Sequence, residues 1–84
     1  MTLGEFMYDV LTHAYQKPKE WRFGQAVFNY VDEAYGVARE VQFTTPFDCF
    51  YKDDNVRDFI EESYKVYVRR FEEYVKNTEK DLDN

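Results

Sequence analysis

The chain has 84 residues, a formal net charge of −6 and a single cysteine, Cys49. This length corresponds to one domain, the lone cysteine excludes an intrachain disulfide, and the acidic balance argues against direct nucleic-acid binding, which needs a basic face. The sequence has no charged-then-apolar signal segment and no apolar run of about 18 residues, so we expect a cytoplasmic protein without membrane contact.

Aromatic residues make up 20% of the chain, as eight Phe, eight Tyr and one Trp. Such side chains bury about 150–250 Å² each, and a domain this small has too little interior to hide all of them. Tyrosine also tolerates a half-wet position at an interface. We therefore expect part of the aromatic surplus to lie on the surface and to contact a partner.

The first predicted helix covers residues 2–16 and begins with a capping box, in which Thr2 and Glu5 satisfy each other's backbone amides. Its apolar face consists of Leu3, Phe6, Met7, Val10, Leu11 and Ala14. The helix should end before Pro18, because the residue preceding a proline is pushed out of the α region.

The second predicted helix, residues 19–35, contains the stretch Trp21–Tyr35 around which the chain is organised. On a helical wheel, apolar side chains fill one half of this stretch and polar side chains most of the other, which predicts a central helix that contacts two neighbours. Gly24 falls inside the apolar arc and predicts a close backbone approach by a neighbouring segment, since glycine there lowers helix propensity by about 1 kcal/mol.

Gly36 follows at the position of a left-handed helix cap. Residues 37–42 can form a separate short helix, or the central helix can continue through them; we favour the break. Residues 42–55 are too rich in aromatic side chains for a solvated loop and are expected to be an ordered connector.

The last predicted helix covers residues 55–76. Its apolar arc consists of Val56, Phe59, Ile60, Ser63, Tyr64, Tyr67, Phe71 and Tyr74. At ~30 Å this helix is longer than the domain needs, so its C-terminal end is expected to project. The sequence thus predicts an all-α domain over 1–76, a small bundle of three principal helices, followed by a polar, disordered tail over 77–84.

Two segments, residues 21–29 (WRFGQAVFN) and 48–54 (DCFYKDD), together with Val56 and Phe59, form a distinctive pattern. The pattern resembles that of a family of small uncharacterised phage and bacterial proteins, R-x-G-Q-A-x-F-N followed after a gap by D-P-F-Y-x-D and an apolar helix start. Cys49 replaces the usual proline, so we expect a less rigid loop here. The resemblance implies a small helical protein of phage or prophage origin, located in the host cytoplasm if phage-encoded, and it implies no particular chemistry.

No set of residues in the sequence indicates catalysis. His13 is expected to be a structural or surface histidine, and Cys49 a buried packing residue rather than a nucleophile. The aspartates near residue 53 lack the spacing of a calcium loop and are better explained as helix caps. We therefore expect no enzymatic activity, no metal and no cofactor.

Polar residues on the central helix form the most suggestive cluster. Arg22, Gln25 and Asn29 can hold the connector through Asp48 and Asp53, or they can bind a ligand; we favour the structural network.

We expect the protein to be an interaction module that binds another protein or forms a homodimer. The candidate contact residues are Tyr8, Tyr15, Arg22, Asn29, Tyr64 and Tyr74. The alternative is an acidic mimic of nucleic acid that inhibits a DNA-binding protein, although the dispersed charge weakens this alternative.

Overall fold

Four α-helices make up most of the chain, and no β-strand occurs in residues 1–82, which the computed structural model describes, with side chains as far as residue 78. The elements are α1 (Leu3–Ala14), α2 (Phe23–Tyr35), α3 (Ala38–Thr44), a short 3-10 turn (Asp53–Asn55) and α4 (Val56–Leu82). The predicted all-α bundle is therefore confirmed. None of the helices in this part of the chain is both long enough and apolar enough to cross a membrane.

The central position of α2 follows from its two-sided sequence. Val27 and Val31 are completely buried, and they belong to one hydrophobic core with Phe6 of α1, Val41 of α3 and Phe59 of α4. Because the apolar arc of α2 is wide, the helix contacts α1, α3 and α4. The predicted role of α2 as the central helix of the bundle is confirmed.

The capping box at the start of α1 has both predicted hydrogen bonds: the Glu5 amide donates to Thr2 Oγ1 at 3.1 Å, and the Thr2 amide donates to Glu5 Oε1 at 3.0 Å. These hydrogen bonds lower the pKa of Glu5. The helix ends at Ala14, with Tyr15 as its C-cap, two residues before the predicted end.

The predicted start of α2 at residue 19 is wrong. Arg22 has extended backbone angles (φ −71°, ψ 157°) and is the N-cap, so the helix begins at Phe23. A turn holds the preceding residues, since the Lys17 ammonium donates to Trp21 O at 2.7 Å and the Trp21 amide donates to Pro18 O at 3.1 Å. Trp21 therefore lies outside the helix and is 36% exposed.

The predicted helix break at Gly36 is confirmed. Gly36 adopts a left-handed conformation (φ 68°), and its amide donates to Val31 O and Asp32 O at 3.1 Å. The following α3 extends to Thr44, two residues beyond the predicted end, and stops where Thr45 becomes extended before Pro46. The connector after α3 is ordered as predicted, with Cys49 fully buried.

The last helix is longer than predicted. α4 continues to Leu82 instead of ending near residue 76, and so includes residues 77–82 of the predicted disordered tail; residues 83–84 lie outside the described residues. Part of the predicted apolar arc is also wrong, because Phe71 and Tyr74 are 58% and 68% exposed while Val66 is buried. The predicted projection of the C-terminal end is seen: beyond Arg70 the helix runs past the body of the bundle, and the molecule as a whole measures 52 Å along its longest axis.

Candidate functional site

The most distinctive surface of the protein is a row of apolar side chains on α4. Tyr64, Val68, Phe71 and Val75 recur at intervals of four, three and four residues, which places them along one side of the helix. We refer to these four residues as the α4 stripe. The stripe begins beside α1 and continues along the projecting half of the helix, where Phe71 is 58% exposed.

The first part of the α4 stripe forms one wall of a groove. The Tyr64 hydroxyl donates to Met1 O at 2.6 Å, which fixes the start of α1 beside α4. A cavity of about 320 Å³ lies between Met1 and the stripe, and Tyr67 and Glu72 complete its lining. The groove is therefore mostly apolar and has one carboxylate at its edge.

A second shallow cavity of about 320 Å³ continues the groove along the projecting half of α4. It shares Phe71 and Glu72 with the first cavity and adds Val75 and Lys76. Tyr74, 68% exposed, lies on the other flank of the stripe. The two cavities share Phe71 and Glu72, so the apolar surface continues from the groove beside Met1 onto the projecting part of α4, where α4 alone lines it.

Core packing and hydrogen bonds fix the position of α4 against the body of the bundle. Phe59 and Ile60 are buried in the core, and Arg70 donates to Gly36 O at 2.9 Å and to Glu40 Oε2 at 3.1 Å. Arg69 also reaches Glu40, at 3.4 Å. These contacts tie α4 to the α2–α3 corner as far as residue 70.

Two of the six predicted contact residues, Tyr64 and Tyr74, lie in or beside the α4 stripe. Tyr8 lies on α1 and Tyr15 is its C-cap, and they are 73% and 77% exposed; the Tyr15 ring packs at 5.1 Å from that of Phe23. The structure therefore does not bring the six residues into one surface.

The other two predicted contact residues lie elsewhere. Asn29 is half-buried and lines a small cleft of about 170 Å³ with His13 and Trp21. Arg22 is exposed at the start of α2, where its guanidinium donates to Phe50 O and lies 5.9 Å from the centre of the Tyr51 ring.

The predicted polar network is present in part. Arg22 holds the connector through Phe50 O as described, while Asp48 Oδ1 accepts from the Phe50 amide at 2.9 Å and turns the connector locally. No hydrogen bond joins Gln25 or Asn29 to the connector among the described residues. These two amides therefore lie outside the network that sequence reasoning assigned to them.

Asp53 caps the first turn of α2, a role that is not evident from the sequence. Its Oδ1 accepts from the Gly24 amide at 2.9 Å, so it satisfies an amide in the first turn of α2. Arg22, at the N-cap position, provides no side-chain hydrogen bond to that turn. A carboxylate of the connector thus replaces the local cap, with its charge at the positive end of the helix dipole.

Gly24 permits the closest contact between α2 and the connector. A Cβ atom at this position would lie 2.1 Å from Cys49 O, and the Cys49 thiol donates to Gly24 O at 3.3 Å. The predicted close backbone approach at Gly24 is confirmed. Burial, followed by the negative charge of Asp48, raises the pKa of Cys49 to about 12, so the side chain is a neutral thiol at pH 7 and packs in the core.

A cluster around Asp9 was missed because its members are distant in sequence. Asp9 Oδ2 accepts from the Tyr30 hydroxyl at 2.7 Å and from the Tyr35 hydroxyl. His13 Nδ1 lies 3.3 Å from Asp9 Oδ1, and its ring stacks on that of Tyr30 at 4.3 Å. The only local signal was the i, i+4 spacing of Asp9 and His13. The cluster fastens α1 to α2, and His13 has the predicted structural role.

Hydrogen bonding changes the acid–base properties of this cluster. Desolvation opposes ionisation of Asp9, but the hydrogen bonds from Tyr35 and Tyr30 and the charge of His13 outweigh it and lower the pKa of the carboxyl group. Burial and the hydrogen bond to Asp9 raise the pKa of Tyr30 to about 12, and the same causes raise that of Tyr35.

Within the described residues, no three His, Cys, Asp or Glu side chains lie close enough together to hold a metal ion. The chain matches no protein-family model, and no curated protein and no solved structure is significantly similar to it. The interpretation of the site therefore depends on its own geometry.

Proposed function

We propose that this protein is a non-enzymatic protein–protein interaction module and that the α4 stripe is its binding surface. The observation that carries the proposal is the apolar row of the α4 stripe, which continues from the groove beside Met1 onto a helix segment that extends past its own bundle. In a monomer this apolar surface would stay in contact with water, which is energetically unfavourable. Its presence therefore indicates a partner that covers it.

The chemistry of the groove supports this function. Phe71 and Tyr74 supply two large exposed aromatic rings, a residue class enriched in the centres of protein interfaces. Glu72 and Lys76 lie at the edge of the groove, where charged residues form the polar rim typical of interfaces. This arrangement supports a protein partner with an apolar face flanked by charges.

The alternative, an acidic mimic of nucleic acid, receives less support. Such a mimic needs rows of free carboxylates, whereas Glu62 contacts Lys65 at 3.0 Å and Glu40 contacts both Arg69 and Arg70. The phage or prophage origin implied by the sequence pattern stays a prediction and is compatible with a small interaction protein.

The experiment is an affinity capture with two matched double variants. Phe71→Ser with Tyr74→Ser removes the exposed rings in and beside the α4 stripe, while Tyr8→Ser with Tyr15→Ser removes two similarly exposed rings in and directly after α1. We expect the first variant alone to lose bound protein, with unchanged helicity in both variants by circular dichroism. Loss of binding in the α1 variant alone, or equal binding by wild type and both variants, would contradict the proposed surface.

A further inference from the structure

We infer that the partner of the α4 stripe is a second copy of this chain, bound with the two α4 helices antiparallel. This inference rests on the proposed function and names the occupant of the same surface. Three features carry it: the spacing of the stripe, the projection of half of α4, and the charges that flank the stripe.

The spacing of the stripe matches that of a two-stranded coiled coil over four consecutive seam positions. Intervals of four, three and four residues repeat every seven residues, so the apolar row follows the seam along which two helices wind around each other. Val68 and Val75 are equivalent positions in this repeat, and Tyr64 and Phe71 are the alternate positions. The complementary surface for such a seam is another helix with the same repeat.

The shape of the molecule selects the antiparallel arrangement. The groove beside Met1 lies at the body end of the stripe, and the exposed Phe71 begins the projecting half. In an antiparallel pair, the projecting half of each copy enters the groove of the other. In a parallel pair, the two α1 helices would lie at the same level along the seam. They would hold the two α4 helices farther apart than the axis separation of about 8–10 Å at which helices pack.

Charges next to the stripe support a register in which unlike charges meet. Lys65 and Glu72 occupy equivalent flanking positions, seven residues apart on the same side of the seam. When Val68 packs on Phe71 of the second copy, Lys65 lies opposite Glu72 of the second copy, and the two-fold axis repeats this pair. A shift by one heptad in one direction would place Lys65 opposite Lys65 and Glu72 opposite Asp58, so like charges disfavour that register.

The area available indicates a weak, reversible dimer. Phe71 and Tyr74 are 58% and 68% exposed, so at ~200 Å² per ring they offer roughly 250 Å² of each copy. Even with Met1, Tyr67 and the two valines of the stripe, the total over both copies stays just below the ~1,200–2,000 Å² found in specific interfaces, in the range of weak or transient contacts. The fraction of dimer should therefore rise with concentration over the micromolar range.

Sedimentation equilibrium of the full chain over a series from about 5 to about 500 µM tests the inference. We expect a monomer–dimer equilibrium in wild type. Either Lys65→Glu or Glu72→Lys alone should raise the Kd roughly tenfold, because each converts two attractive pairs into two repulsive ones. The double variant with both changes should restore the wild-type Kd within a factor of about three, since the pairs are re-formed with the charges exchanged.

A second measurement locates the contact. Carbodiimide cross-linking of a mixture of ¹⁴N- and ¹⁵N-labelled chains should give a Lys65–Glu72 link that joins one light and one heavy peptide. Phe71→Ser should abolish the dimer, while Tyr8→Ser, a change at a similarly exposed ring on α1, should leave the Kd unchanged.

Three results would overturn the inference. The first is that wild type stays monomeric at the highest concentration. The second is that the single charge variants dimerise as well as wild type. The third is that the charge-exchanged double variant dimerises as weakly as the single variants. If wild type is monomeric but still captures another protein in a Phe71-dependent manner, only the second copy is refuted. If no binding of any kind depends on Phe71, the proposed function fails as well.

Discussion

Gly24→Ala should destabilise the fold strongly, although alanine is the better helix former. In an unobstructed helix this change would stabilise by up to about 1 kcal/mol. Here the added Cβ would lie 2.1 Å from Cys49 O and 2.7 Å from Asp53 Oδ1. The first atom belongs to the backbone of a buried residue, so the clash can be relieved only if the connector moves away from α2.

The magnitude follows from what that movement breaks. The bond from the Gly24 amide to the Asp53 carboxylate is charge-assisted, and such bonds contribute about 1.5–3 kcal/mol. Displacement of the buried Cys49 also opens packing between the connector and the core, at a loss of about 2 kcal/mol or more. After subtraction of the gain in helix propensity, we expect a net loss of about 3 kcal/mol, which is a large part of the stability of a domain this size.

Thermal and urea unfolding followed by circular dichroism measures this loss. A loss of about 3 kcal/mol corresponds to a fall in Tm of roughly 12–24 °C for a domain of this length. Gly4→Ala is the matched control, because Gly4 is also helical and the nearest atom to its added Cβ would be Thr2 Oγ1 at 3.9 Å. If both variants were as stable as wild type, the close approach at Gly24 would not constrain the fold and the reasoning would be refuted.

Three further predictions concern other positions. Stability should fall as the pH rises from about 10 to about 12, because the folded state keeps the protons of Tyr30 and Tyr35, whose pKa values are raised, while the unfolded chain loses them near pH 10. Asp9→Asn should lower the pH at which Tyr30 and Tyr35 ionise, as measured by absorbance at 295 nm. Ser63→Ala should leave the free energy of unfolding in urea unchanged or raise it by up to about 1 kcal/mol, since the Ser63 hydroxyl is fully buried and has no hydrogen-bond partner among the described residues. A fall in the free energy of unfolding by more than about 1 kcal/mol would show that the hydroxyl is paired. Gly36→Ala should lower the free energy of unfolding by about 1–2 kcal/mol despite open space around the site, because the φ of 68° disfavours a side chain. Gly36→Asn should recover part of this loss. Equal stability of the alanine variant and wild type would contradict the explanation.

Local sequence chemistry was sufficient wherever the stabilising partners are neighbours along the chain. The capping box of Thr2 and Glu5 is visible in four residues, and the left-handed cap at Gly36 follows from the glycine itself. The two-sided pattern of α2 also predicted its central place, because helical periodicity reports which face must be buried.

Boundaries and partners were less accessible to sequence reasoning. The start of α2 was misplaced because Asp53, 29 residues away, caps the helix in place of a local residue. The exposed state of Phe71 was missed because periodicity cannot tell whether an apolar side chain faces its own core or an absent neighbour. The polarity of Gln25 and Asn29 predicts that they form hydrogen bonds, but it does not determine which neighbouring segment they contact.

The sequence by itself determined that this protein is helical, that α2 lies at its centre and that Gly24 must be approached closely, because each of these depends on periodicity or on the properties of one residue. Only the tertiary structure decided which tyrosines meet Asp9, which carboxylate caps α2 and which apolar side chains remain on the surface. These depend on distances between segments remote in the chain, and local propensities carry no information about such distances.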